Sequence, residues 1–184
     1  MPLPAKPALR PLRKGTETVL LYTDIISGDE LFTDAFPVKE VAGRYEVEGR
    51  LITVSGDVHA DIDANPNEVE AAEDTDGTRQ VIDVIHAHRL QPTSFDKKSY
   101  TVYAKGYLKA VKSELSETDP GSVAAFEAEG TALVKEVLGN FQDYEFYTGE
   151  SMNPDGMVAL LNYRDDGTTP YLTFFQHGVH AHQI

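Results

Sequence analysis

The chain has 184 residues, 41% of them apolar, with a formal net charge of −14 and no cysteine. That length suits one domain with a core large enough to fold unaided. The charge disfavours broad binding to nucleic acid or anionic membrane and favours basic partners and divalent cations. Without cysteine there are no disulfides, thiolate zinc sites or cysteine nucleophiles, and no apolar run approaches the ~20 residues of a membrane helix.

Residues 1–18 stand apart. Prolines fall at positions 2, 4, 7 and 11, and Lys6, Arg10, Arg13 and Lys14 face one acid, Glu17. Proline at this density removes backbone donors and blocks a helix, so the segment reads as a disordered, basic N-terminal extension. The same proline argument ranks a helical mitochondrial presequence lower. A single domain then spans 19–184. Residues 19–22 read as a buried strand. Ser27-Gly-Asp-Glu30 fits a capping box, serine at the N-cap and glutamate three residues on, and predicts a short helical turn through Leu31 and Phe32. Residues 44–54, RYEVEGRLITV, alternate and predict one strand.

Between 55 and 79 the acids Asp57, Asp61, Asp63, Glu68, Glu70, Glu73, Asp74 and Asp76 accumulate. Self-repulsion and low hydrophobicity predict a long mobile acidic loop. Asp61-x-Asp63-x-Asn65 resembles the start of a calcium loop. Pro66 replaces the turn glycine and Ala72 the bidentate glutamate, so an EF-hand is rejected. What remains is weak calcium binding by clustered carboxylates around Asp61, Asp63 and Asn65, against the plainer reading of a solvated loop. Residues 80–90, QVIDVIHAHRL, read as a central strand covered on both faces, with His86 and His88 on one side. Two ligands do not make a metal site, so a metal enzyme built on them ranks below two hydrogen-bonded structural histidines. His180 and His182 repeat the spacing near a terminus, where disorder is the expectation.

Two helices follow within 93–141. Tyr100, Tyr103, Tyr107, Val111 and Leu115 recur at steps of three and four, as do Phe126, Gly130, Leu133, Val137 and Phe141. Thr93, Ser94 or Asp96 caps the first, and Pro120-Gly121 makes the turn. So short a connection predicts an antiparallel helical hairpin. The first helix carries Lys97, Lys98, Lys105, Lys109 and Lys112, the one local basic patch in an acidic chain. A charge run is ordinarily a solvated face; here it is also a candidate dock for an acidic surface. Strands are predicted at 144–149, 157–163 and 170–175, separated by the turn signals Asn153-Pro-Asp-Gly156 and Asp165-Asp-Gly167. The order makes the fold α+β, with helices segregated from the sheet. No hydrolase elbow, phosphate-binding loop, dinucleotide fingerprint or H-E-x-x-H occurs, so the residues by themselves carry no catalytic chemistry.

Four stretches go further. FQDYEFYTGESMNPDGMVALLNY (141–163) with its continuation RDDGTTPYLTFFQHG, LLYTDIISGDELFTD (20–34) and LQPTSFDKKSYTVYAKGYLKAVKSEL (90–115) resemble the translationally controlled tumour protein (TCTP) family. The resemblance covers 19–184. Val19 stands where the family starts with methionine, and residues 1–18 have no counterpart in typical members. The family's loop signature, close to I-G-x-N-P-S-A-E-G, is replaced by Ile62-Asp-Ala-Asn-Pro-Asn-Glu-Val-Glu70. The resemblance implies a β-tent: small mixed β-sheets around a core, with a projecting antiparallel helical hairpin. A zinc-containing chaperone of nucleotide-free Rab GTPases shares that fold and uses cysteines that this chain lacks. The resemblance also implies a monomeric, cytoplasmic, partly cytoskeleton-associated protein without catalytic residues or a required cofactor. Its implied partners are tubulin and microtubules, translation elongation factors and a Rheb-like small GTPase, with weak calcium binding besides and no membrane insertion. The implied tubulin contact is the hairpin, hence Lys97, Lys98, Lys105, Lys109 and Lys112. The glutamates implied at a GTPase contact are Glu30 and Glu150, and the alternative function is nucleotide exchange or chaperoning of such a GTPase.

Overall fold

The structure is a computed structural model, and it describes residues 18–55 and 77–184. The strands are β1 (Leu20–Asp24), β2 (Glu30–Thr33), β3 (Val38–Val41), β4 (Arg44–Glu48), β5 (Leu51–Ser55), β6 (Thr78–Ile82), β7 (Gln91–Thr93), β8 (Glu145–Thr148), β9 (Ala159–Tyr163), β10 (Pro170–Phe175) and β11 (Val179–Gln183). The helices are α1 (Asp83–His88), α2 (Lys97–Thr118) and α3 (Val123–Gly139). Three sheets result: β11-β1-β2, β3-β4-β10-β9-β8-β7 and the ribbon β5-β6. Every strand pairing among the described residues is antiparallel.

Aromatic packing joins the sheets. Phe32 of β2 is fully buried, stacks on Tyr22 of β1 with centroids 4.4 Å apart, and meets Phe174 of β10 at 4.6 Å. That single ring bridges the three-stranded and six-stranded sheets. Arg164 closes the β9–β10 hairpin. Its guanidinium reaches Glu46 at 2.6 Å and Glu48 at 3.0 Å on β4, and lies 3.9 Å over the Tyr171 ring.

The hairpin forms as the periodicity predicts. Asp96 caps α2: its carboxylate accepts from the Ser99 amide at 2.7 Å, while the Ser99 hydroxyl accepts from the Asp96 amide at 3.0 Å. Those bonds from Ser99 hold the Asp96 carboxyl below the usual carboxylate range. Tyr100, Ala104, Tyr107, Val111 and Leu115 form the buried stripe of α2, and Phe126, Gly130, Leu133 and Val137 that of α3. Gly130 lets the helices approach closely, since a Cβ there would come within 2.9 Å of Leu108. The inner face of the hairpin packs on the body, with Tyr107 against Phe175 of β10 and Phe126 against His177 in the turn that follows it.

Four expectations are corrected. Residues 27–32 make a turn and a strand instead of a capping box and helix, because the Ser27 hydroxyl is engaged by the Asp24 carboxylate and Gly28 takes φ +78°. The 44–54 strand splits at buried Gly49, whose amide donates to the Pro170 carbonyl, so β4 and β5 enter different sheets. The 80–90 strand ends at Ile82. The Asp83 carboxylate there accepts from the amides of Arg50 and Val84, and a short helix follows until Arg89 at φ +52° stops it. His180 and His182 belong to β11, paired along the length of β1. The acidic loop's borders also move, since Ser55 and Thr78-Arg79 are strand residues. Its interior and residues 1–17 lie outside the described residues.

Tyr107 tests the packing. Its hydroxyl is fully buried, finds no hydrogen-bond partner among the described residues, and sits where any Cβ on Gly178 would overlap it. Burial pushes its pKa well above that of an ordinary tyrosine. An unpaired buried hydroxyl costs about 1–3 kcal/mol. Tyr107→Phe should therefore be neutral or stabilising, by up to about 1 kcal/mol in urea denaturation, whereas Gly178→Ala should destabilise by about 1–3 kcal/mol.

Candidate functional site

The site begins with a carboxylate in the core. Asp24 ends β1 and is 2% exposed. Its Oδ1 accepts from the Ile26 amide at 3.0 Å. Its Oδ2 accepts from the Ser27 hydroxyl at 2.7 Å and from the Met157 amide at 2.7 Å, 133 residues away. Buried charge is tolerated when hydrogen bonds replace water, and such charge-assisted bonds are the strong ones. Asp24 thus ties the β1–β2 turn to the loop between β8 and β9. Gly156 has to be small for this, because a Cβ there would lie 2.9 Å from Oδ2.

A second clamp comes from the hairpin. The Tyr103 hydroxyl donates to the Gly156 carbonyl at 2.7 Å and accepts from the Val158 amide at 2.9 Å. At the rim, the Ser151 hydroxyl donates to Asp29 Oδ2 at 2.6 Å. Turn, loop and α2 are therefore held as one unit.

That unit sets the glutamates. Glu30 opens β2 with its side chain exposed, and lies close enough to His88 to bear on its protonation. Glu150 follows buried Gly149 and pairs with Arg89 at 3.0 Å. His88 and Arg89 form the end of α1, so Glu30 and Glu150 flank one short helix terminus on one face of the protein. Desolvation lowers the His88 pKa, opposed by Glu30, and its ring meets Phe36 edge-on at 6.0 Å. His86 and His88 sit two residues apart on a helix and point in different directions, which removes the shared-face arrangement expected of a strand. His180 and His182 do lie together, rings stacked at 5.9 Å. Among the described residues no group of three or more histidine, aspartate or glutamate side chains converges on a metal position. Asp61, Asp63 and Asn65 lie outside the described residues.

The lysines form a second surface. Lys97, Lys98, Lys105, Lys109 and Lys112 are all exposed on α2. At about 3.6 residues per turn, Lys98, Lys105, Lys109 and Lys112 fall within about 60° of one another, away from the buried stripe, with Lys97 on the flank. Exposed Val102 lies beside that row. Lys112 pairs with Glu127 of α3, and among the described residues the other four lysines make no ion pair. The sequence pointed to these lysines as a basic run on the first predicted helix. It did not find Asp24, although Asp24-Ile-Ile-Ser27 carries the signal of a side chain bonding its own turn.

The fold and these surfaces define a small α+β protein of three antiparallel sheets with a docked helical hairpin. The model of the translationally controlled tumour protein family matches residues 19–180. The homologue from Candida albicans is 54% identical over 169 residues, covering 90% of this chain and all of the relative. The homologue from Kluyveromyces lactis is 51% identical with the same coverage. The solved structure of translationally controlled tumour-associated protein p23fyp from Schizosaccharomyces pombe superposes with TM-score 0.78 at 49% identity, covering 90% of this chain and 99% of that one. The solution structure of the Caenorhabditis elegans protein gives 0.67 at 27% identity, covering 90% and 98%. The chain belongs to the translationally controlled tumour protein family. No described helix is long and apolar enough to cross a membrane.

Asp24→Asn keeps the shape and replaces one acceptor with a donor facing other donors. The expected loss is about 2–4 kcal/mol in urea denaturation, since an unpaired buried group adds to the lost charge-assisted bonds. Ser151→Ala at the exposed rim should stay within about 1 kcal/mol.

Proposed function

We propose that this protein is a non-enzymatic, cytoplasmic interaction protein that docks through the outer face of α2 on acidic protein surface, tubulin in microtubules foremost, and so helps to stabilise microtubules. Translation elongation factors and weakly bound calcium complete the reading by family resemblance. The observation that carries it is the row Lys98, Lys105, Lys109 and Lys112 on the solvent side of a helix whose other side is anchored in the core. A rigid helix holds its charges in register with a partner without ordering a loop, which keeps the entropic cost of binding low. Complementary charge raises the association rate and makes binding sensitive to salt.

Replacing Lys98, Lys105 and Lys109 with glutamate should leave the fold intact, because all three are exposed. Co-sedimentation with microtubules should weaken on the order of tenfold, and added salt should weaken the unmodified protein in the same direction. Undiminished co-sedimentation of the reversed variant would contradict the assignment.

A second reading has its own observation: Glu30 and Glu150 flank the end of α1 on loops that Asp24 holds fixed. We infer a contact with a Rheb-like small GTPase, where two held carboxylates would bear on a basic or magnesium-containing nucleotide site. Glu30 caps no helix, so Glu30→Gln should change stability by less than about 0.5 kcal/mol. Any loss of stimulated nucleotide release in that variant then reports contact and not folding. Release at the same rate with and without the unmodified protein sinks the reading.

A further inference from the structure

β11 is the outermost strand of the β11-β1-β2 sheet, and among the described residues no strand pairs with its free side. The other edges of the two larger sheets are guarded against added strands. β7 has three residues with Pro92 in the middle, β3 shows Lys39 and Glu40 to solvent, and β2 has four residues and opens on exposed Glu30. Short length, proline and charge are the usual guards of an open edge. β11, Val-His-Ala-His-Gln, is five residues long and carries neither proline nor an acid, lysine or arginine.

The hydrogen bonds on its paired side fix which groups face outward. The Ile25 amide donates to the Gly178 carbonyl, and the Ile184 amide to the Val19 carbonyl. Bonded pairs alternate along an antiparallel ladder, so His180 and His182 turn their backbone towards β1, opposite Thr23 and Leu21. Val179, Ala181 and Gln183 therefore present their amides and carbonyls at the open edge. Side chains alternate too. The two histidines share one face, with rings stacked at 5.9 Å, His180 exposed and His182 half-buried.

This pattern is self-complementary. A second copy laid antiparallel along β11, about a two-fold axis at Ala181, pairs Val179 with Gln183 and Ala181 with itself, each pair exchanging both backbone bonds. The same register sets His180 opposite His182 of the second copy at the non-bonded positions. Side chains approach most closely there, with Cβ atoms about 4.5–5.5 Å apart. Four imidazoles then share a patch of about 5 by 7 Å. Centring the axis on Val179 or Gln183 shortens the ladder and sets the histidines opposite other residues. Zinc binds imidazole nitrogen at about 2.0–2.1 Å and takes four ligands in a tetrahedron. One chain offers two of them, and two chains complete the set. Each chain stands at −14, so the edge contact alone meets charge repulsion, which a dication offsets where the chains join.

We propose that His180 and His182 form half of a zinc site that the same pair on a second copy completes, so that zinc couples two chains through their β11 edges. The full chain is used without an affinity tag, since a histidine tag would add ligands. Sedimentation velocity should show a monomer in EDTA and a dimer with zinc chloride, and titration calorimetry should give one zinc per two chains. His180→Gln/His182→Gln should stay monomeric at the same zinc concentration. Ala181→Pro keeps every imidazole and removes an amide that faces away from β1, so zinc-driven dimerisation should weaken about tenfold or more. Ala181→Lys keeps the amide, places like charges opposite each other, and should weaken the dimer in the same direction even if the proline variant fails to fold. A protein that remains monomeric at every zinc concentration, or that binds one zinc per chain, would overturn the proposal. Dimers in EDTA, or zinc-driven dimers that survive loss of both histidines, would place the contact elsewhere and equally defeat it. Undiminished dimerisation of both Ala181 variants would overturn the edge pairing.

Discussion

The arrangement rests on one buried carboxylate. Asp24 accepts hydrogen bonds from its own turn and from the Met157 amide across the molecule. A charge out of water persists only where its acceptor sites are filled, so the two loops cannot separate without exposing or orphaning it. The constraint is thus reciprocal: the loops solvate the carboxylate, and the carboxylate fixes the loops. Tyr103 extends this to the hairpin by bonding the backbone on either side of Met157.

Two consequences follow for the surfaces. Glu30 and Glu150 come from elements far apart in sequence, yet they flank the same end of α1 because Asp24 and the Ser151–Asp29 bond hold their loops together. The lysine row on α2 is placed by the opposite face of its own helix, where Tyr100, Tyr103 and Tyr107 are packed among Phe95, Phe146 and Phe175. One surface is positioned by a polar contact and the other by apolar packing. Both are carried by rigid backbone, which suits a protein that works by being contacted.

What could be read from residues alone divides along the range of the interactions involved. The hairpin was legible because a helix writes its buried face every three or four residues, and Asp96, Pro120 and Gly121 mark its ends locally. The strands at 145–148, 159–163 and 170–175 were legible because aromatic and β-branched runs alternate with strong turn residues. Most of the failures involve a contact from outside the local run. Ser27 looks like a helix cap until Asp24, itself held by Met157, claims its hydroxyl. Gly49 looks like a tolerated strand glycine until its amide meets Pro170. The 80–90 run alternates convincingly, but Asp83 closes a turn with Arg50 and diverts the chain into a helix. The same division holds for the candidate site: the lysine row follows from one helix's period, whereas the proximity of Glu30 and Glu150 depends on a contact spanning 133 residues.

Amide hydrogen exchange on the unmodified protein and the Asp24→Asn variant addresses the central claim most directly. With the carboxylate as the tie, the variant should lose protection together at Ile26, Asp29, Met152, Met157 and Val158, while the amides of α3 far from the loops change only as global stability requires. Protection that stays unchanged in both loops, or falls in one and not the other, would contradict the role given to Asp24.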